Sequence, residues 1–144
     1  MAASATIVSV PAIRGDEKQS PDPWTSAQVV QAAALAHELD DKNGAAPTVV
    51  YVGFHTLFAG GHIPGAAFQG PASTEKGLAN LKKLADGLPR TTNLVIYCGC
   101  CPFGKCPNVR RSRKTVRPLF QIRQTLLGGC RALERSSWNM AAGE

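Results

Sequence analysis

Two short runs of the chain are apolar without polar alternation: Thr48-Val49-Val50-Tyr51-Val52 and Asn93-Leu94-Val95-Ile96-Tyr97. Continuous runs of this kind mark strands buried on both faces of a parallel sheet. Between them, Leu78, Leu81, Leu84, Ala85 and Leu88 recur at helical spacing from Lys76 to Leu88, with Lys82 and Lys83 on the outer, solvated face. Leu88-Pro89 ends that helix. Upstream, Val29, Val30, Ala33, Ala36 and Leu39 fall on one side of a predicted helix that Thr25 or Ser26 caps and that ends near Asn43-Gly44 in left-handed geometry. Gly60 to Ala66 reads as a turn. Helix, strand, helix, strand is the alternation of an α/β fold, a central parallel sheet flanked by helices.

The 144 residues, 44% hydrophobic and 18% charged, fit one such domain with a modest core. Residues 1–23 read as a flexible leader, because the stretch from Gly15 to Pro23 mixes charges, Ser and two prolines with no apolar period. The core is expected over 24–110 and a basic tail over 111–144, as the diverged end of the same domain or the product of a changed reading frame. No run approaches the ~20 apolar residues that span a bilayer. The first residues lack a basic segment and Pro11 interrupts their apolar run, which points to the cytoplasm; a start upstream of Met1 makes the periplasm the alternative.

The net charge of +6 changes the picture only at one end. Residues 1–109 hold eight Lys/Arg and eight Asp/Glu, whereas residues 110–144 hold eight Lys/Arg against Glu134 and Glu144. No stacking aromatics interleave with those arginines, which argues against nucleic acid as a partner.

The chemistry is concentrated in the cysteines. Cys98, Cys100, Cys101 and Cys106 fall within nine residues, and Cys130 stands apart. Disulfide frameworks spread their cysteines to close loops, while a tight cluster suits thiol chemistry or metal binding. Cys98 follows a predicted buried strand directly, and open α/β sheets bind ligands beyond the carboxyl ends of their strands. Gly99 lets the backbone turn its N–H groups inward, and a following helix adds its positive end. Both favour the thiolate, which is the nucleophile.

Gly60-Gly61-His62-Ile63-Pro64-Gly65-Ala66, followed about thirty residues later by Leu94-Val95-Ile96-Tyr97-Cys98, resembles the rhodanese pattern of a G-H-I-P-G-A turn and a catalytic cysteine after a strand. The loop from Cys98 to Arg110 reads C-G-C-C-P-x-x-x-C-P-N-x-R and is similar to a bacterial branch of rhodanese-like proteins in the sulfurtransferase superfamily. Trp24-Thr25, Val52-Gly53-Phe54, Gly70-Pro71-Ala72 and Leu88-Pro89-Arg90 also fit that branch, so the resemblance covers residues 24–110. It implies a three-layer rhodanese-like fold. It also implies that a cysteine takes sulfur from thiosulfate or another sulfane-sulfur donor as a persulfide and passes it to a thiol or cyanide. The chain departs from the family pattern twice: Val52-Gly53-Phe54 stands where most catalytic rhodaneses have Asp-Val-Arg, and the first arginine after Cys98 is Arg110 rather than the fifth residue, Phe103.

Cys98 is the expected nucleophile. Cys106 is the alternative, since Arg111-Ser112 follows it at the family's usual spacing, although Pro107 removes an amide from that cradle. Gly99, Cys100, Lys105 and Arg110 are the candidate substrate contacts, the two cations for an anionic donor. Cys100, Cys101 and Cys106 are candidates to relay sulfur or resolve the persulfide. The expected partners are a small sulfur-containing anion or persulfide donor and a thiol acceptor, with no cofactor and no membrane; the pattern assigns no oligomeric state. Two other readings stand beside this one: a metal held by Cys98, Cys100, Cys101 and Cys106, whose C-x-C-C spacing suits a tetrahedron poorly, and a non-catalytic interaction module of the same fold. His62 is expected to bond the local backbone, His37 and His55 to sit at the surface or in packing, and Trp24 and Phe54 to join the core. After Arg110 the resemblance stops: Pro118 interrupts any helix through it, and no Val/Ile-rich strand is evident.

Overall fold

In a computed structural model of the chain, the residues described are 25–99, 106–117 and 122–126. The leader 1–23, Trp24 and Cys130 lie outside them. A 3-10 turn at Ser26–Gln28 leads into β1 (Val29–Gln31) and α1 (Ala32–Asp40). The chain continues through β2 (Thr48–Tyr51), α2 (His55–Gly60), β3 (Ala67–Phe68) and α3 (Glu75–Asp86). It ends with β4 (Leu94–Tyr97), α4 (Pro107–Val116) and β5 (Ile122–Leu126). All ladders are parallel, in the order β1-β5-β4-β2-β3.

The two continuous apolar runs are β2 and β4, which pair directly with Val50 beside Ile96. Because side chains alternate along a strand, their residues divide between two cores. Val50, Val52, Leu94 and Ile96 pack with Leu81 and Ala85 of α3 and with Val109 and Val116 of α4. Val49, Tyr51, Val95 and Tyr97 pack with Leu35 of α1 and Phe58 of α2. This is the three-layer α/β architecture. No helix among the described residues is long and apolar enough to cross a membrane.

Three expectations need correction. Val29 and Val30 belong to a strand, not to the helix: β-branched residues suit the ladder they form with β5, and a three-residue strand is too short to show a period of its own. The helix that follows stops at Asp40, where the Asp41 carboxylate accepts from the Asn43 N–H at 2.9 Å, and Gly44 is not among the positive-φ glycines. Phe54 is 53% exposed, because its carbonyl faces inward to accept from Leu57 and Phe58 while its ring points out. Beyond Arg110, α4 ends at Val116, before Pro118, and β5 follows it into the sheet between β1 and β4. A strand paired on both sides forms there without a Val/Ile-rich run, since its ladder supplies the backbone partners.

The turn at 61–66 is tied to β4 by one buried bond: the Ile63 N–H donates to the Tyr97 hydroxyl at 2.9 Å. Burial pushes the Tyr97 hydroxyl well above its usual pKa range, with the Ile63 bond opposing and Tyr51 and Cys98 adding to the rise. The folded state therefore holds that proton more tightly than the unfolded chain. Its contribution is complete below about pH 10 and is lost as pH rises above that. Tyr97→Phe should cost about 1–3 kcal/mol at neutral pH by orphaning the Ile63 N–H. In urea unfolding between pH 9 and 11 it should lose stability less steeply than wild type; equal slopes would contradict this role.

Candidate functional site

Cys98 follows β4 and continues its alternation, so its side chain joins Leu94 and Ile96 on the face covered by α3 and α4. It is 7% exposed. The chain returns at Cys106, the N-cap residue of α4, whose thiol lies in the same buried cluster. Pro107 occupies the first turn of α4, where a missing N–H costs no helical bond. The two expected nucleophile candidates are thus brought together. Gly99 borders the Tyr51 hydroxyl, and Arg110 is exposed on α4. Cys100, Cys101 and Lys105 lie outside the described residues. Among the described residues no group of three or more His, Cys, Asp or Glu is placed to hold a metal ion; the four-thiol alternative includes two cysteines outside them.

A polar neighbour of Cys98 comes from a residue to which the sequence assigned no role. Asn108, 2% exposed in the first turn of α4, donates through Nδ2 to Cys98 Sγ at 3.6 Å. Its Oδ1 accepts the Ser73 N–H at 2.8 Å. Arg111 reaches the same turn, donating to the Ser73 carbonyl at 2.7 Å and to Glu75 Oε1 at 3.2 Å. The Arg111–Glu75 pair is exposed and adds little stability, but it aligns α4 with α3. Ser112 is fully buried, its hydroxyl donating to the Asn108 carbonyl at 2.7 Å. Arg111 and Ser112, which follow Cys106 at the family's usual spacing, are engaged in bonds that hold α4 in place. The motif C-P-N contained Asn108, but nothing in its spacing pairs it with a thiol ten residues earlier.

Gly53 forms the other wall. A Cβ at this position would fall 2.8 Å from Cys98 Sγ and 2.7 Å from the Tyr51 hydroxyl. The Tyr51 hydroxyl donates to the Phe54 carbonyl at 3.3 Å, and a Cβ on Gly99 would stand 3.2 Å from its oxygen. The phenol thus occupies the space that side chains at 53 and 99 would need. This accounts for the glycine within Val52-Gly53-Phe54: the thiol and the phenol leave no room for a side chain at position 53. His62 bonds the Phe58 carbonyl through Nδ1 at 2.9 Å and stacks on the Phe58 ring at 3.7 Å, so it stiffens the turn as expected. His55 is exposed and meets Phe68 edge-on at 5.4 Å; His37 is exposed on α1.

No family model and no curated protein matches the chain. Among solved structures it is similar to the Alr3790 protein from Anabaena sp., with a TM-score of 0.57 and 17% identity, covering 78% of this chain and 81% of that one. The Rhodanese_3 like domain of the same Anabaena protein gives 0.51 and 16%, covering 69% and 95%. A rhodanese-like domain protein from Staphylococcus aureus gives 0.51 and 18%, covering 81% and 99%. At these identities the likeness is one of fold, and the fold is rhodanese-like.

The tight seat at position 53 has a direct test. Gly53→Ala should destabilise the protein by about 1–3 kcal/mol in urea unfolding, because the phenol or the thiol must move. Gly60→Ala, where a Cβ meets nothing within 4 Å, should be neutral or stabilising by up to about 1 kcal/mol. Equal behaviour of the two variants would contradict the seat.

Proposed function

We propose that the chain is a sulfurtransferase-type protein that carries sulfane sulfur as a persulfide on Cys98. The observation that carries this reading is a thiol at the carboxyl end of a central parallel strand, hydrogen-bonded by a buried amide in the first turn of a helix. The position is where open α/β sheets bind ligands, and both the donor and the helix end favour a sulfur anion.

The chemistry is a two-step transfer. The Cys98 thiolate attacks the outer sulfur of thiosulfate, the sulfur–sulfur bond of the donor breaks, and sulfite leaves with the bonding pair. Cyanide or a thiolate then attacks the outer sulfur of the Cys98 persulfide. Thiocyanate or a new persulfide departs, and the pair of the broken bond returns to Cys98 Sγ. Exposed Arg110 meets an anionic donor as it arrives, with Lys105 as a second cation. Cys106, buried in the same cluster, is the nearest described thiol for resolving the persulfide.

Intact mass spectrometry after thiosulfate treatment should show a gain of one sulfur, about 32 Da, that cyanide removes. Cys98→Ser should abolish the gain, and Cys106→Ser should slow turnover while leaving it. Retention of the adduct in Cys98→Ser together with its loss in Cys106→Ser would move the nucleophile to Cys106. A wild type that takes up no sulfur but purifies with stoichiometric metal would replace this reading with the metal one.

A further inference from the structure

Cys98 belongs to the buried cluster that holds Val50, Val52, Ile96 and Val109. Apolar burial alone raises a thiol's pKa and makes it inert. A thiolate at this position needs a donor aimed at the sulfur. Asn108 is placed to be that donor, and its orientation is determined rather than free. A side-chain amide presents either its oxygen or its nitrogen to a given neighbour, and the choice follows from the bonds it makes. The Ser73 N–H only donates, so Asn108 Oδ1 faces it at 2.8 Å. That leaves Nδ2 toward Cys98 Sγ at 3.6 Å. Arg111, one helical turn on, fixes the Ser73 carbonyl from the other side at 2.7 Å.

We propose that Asn108, with its amide oriented by the Ser73 N–H, is a positioning residue that stabilises the Cys98 thiolate in its buried seat. This rests on the sulfur-transfer reading and deepens it, because the same bond serves both steps. In the first, it raises the thiolate fraction of the attacking group. In the second, it stabilises Sγ as the pair of the broken sulfur–sulfur bond returns to it, and a leaving thiol of lower pKa departs faster. On the described elements around the thiol, the other titratable groups are Tyr51 on β2, Tyr97 on β4 and Cys106 at the head of α4. Of the charged side chains on these helices, Glu75, Lys76, Lys82, Lys83 and Asp86 of α3 and Arg110, Arg111 and Lys114 of α4 are exposed, and Arg113 of α4 is half-buried, donating to Gln28 Oε1 at 3.2 Å. The bond from Asn108 is a directed interaction with the sulfur from a buried side chain.

The test is the pH dependence of Cys98 alkylation by iodoacetamide in the full chain, read by peptide mapping so that the other cysteines do not contribute. Asn108→Asp keeps the shape and the acceptor for Ser73 but replaces the donor with a second acceptor. Asn108→Ala removes the side chain and covers the case in which the aspartate variant does not fold. The expected result is a rise in the apparent pKa of Cys98 by about one to two units in either folded variant, a ten- to hundredfold loss of reactive thiolate below that pKa. A purely structural Asn108 would lower the melting temperature without moving the profile. An unchanged pKa in a variant with native circular dichroism overturns the proposal. Alkylation does not involve sulfane sulfur, so this outcome is read independently of whether wild type takes up sulfur from thiosulfate.

Discussion

A thiol at the end of a strand buried on both faces is inert unless something nearby stabilises its anion, and that constraint organises this molecule. β4 lies inside the sheet, between β2 and β5, so every side chain it presents is covered by a helix layer. The alternation that makes Leu94 and Ile96 core residues also carries Cys98 into the same apolar layer. Dehydration there works against the thiolate. Among the described residues, the first turn of α4 aims the Asn108 amide at the sulfur.

Helix α4 is the means by which fold and site are joined. Its apolar residues Val109 and Val116 seat it on the sheet, and Asn108 and Arg111 grip both backbone groups of Ser73. Ser73 lies in the turn that starts α3, where Thr74 caps the helix by accepting from the Gly77 N–H at 3.1 Å. The two helices over the Cys98 face are thereby held in register with each other and with the thiol. On the opposite face, the Tyr51 phenol fills the space left by Gly53 and Gly99.

Much of this was legible in the sequence where one element is long enough to display its own period. The runs of β2 and β4 and the leucine spacing of α3 are local signals, and so is the cysteine that follows β4. What was not legible depends on distant partners. Val29–Gln31 looks like the head of a helix until β5 is placed beside it. Ile122–Leu126 lacks a β-branched run, yet two neighbouring strands complete its ladder. The six residues of α2 are too few to show amphipathicity. Asn108 is the clearest case: its role is set by Ser73, 35 residues away, and by Cys98, ten residues away, and no spacing rule connects the three.

The central claim, that Cys98 is the atom on which sulfur is carried, is tested most directly by a crystal structure of the protein treated with thiosulfate. The result predicted is one additional sulfur bonded to Cys98 Sγ at about 2.05 Å, with Asn108 still donating toward that side chain and the Cys106 thiol unchanged. Additional sulfur on Cys106 beside an unmodified Cys98 would contradict it.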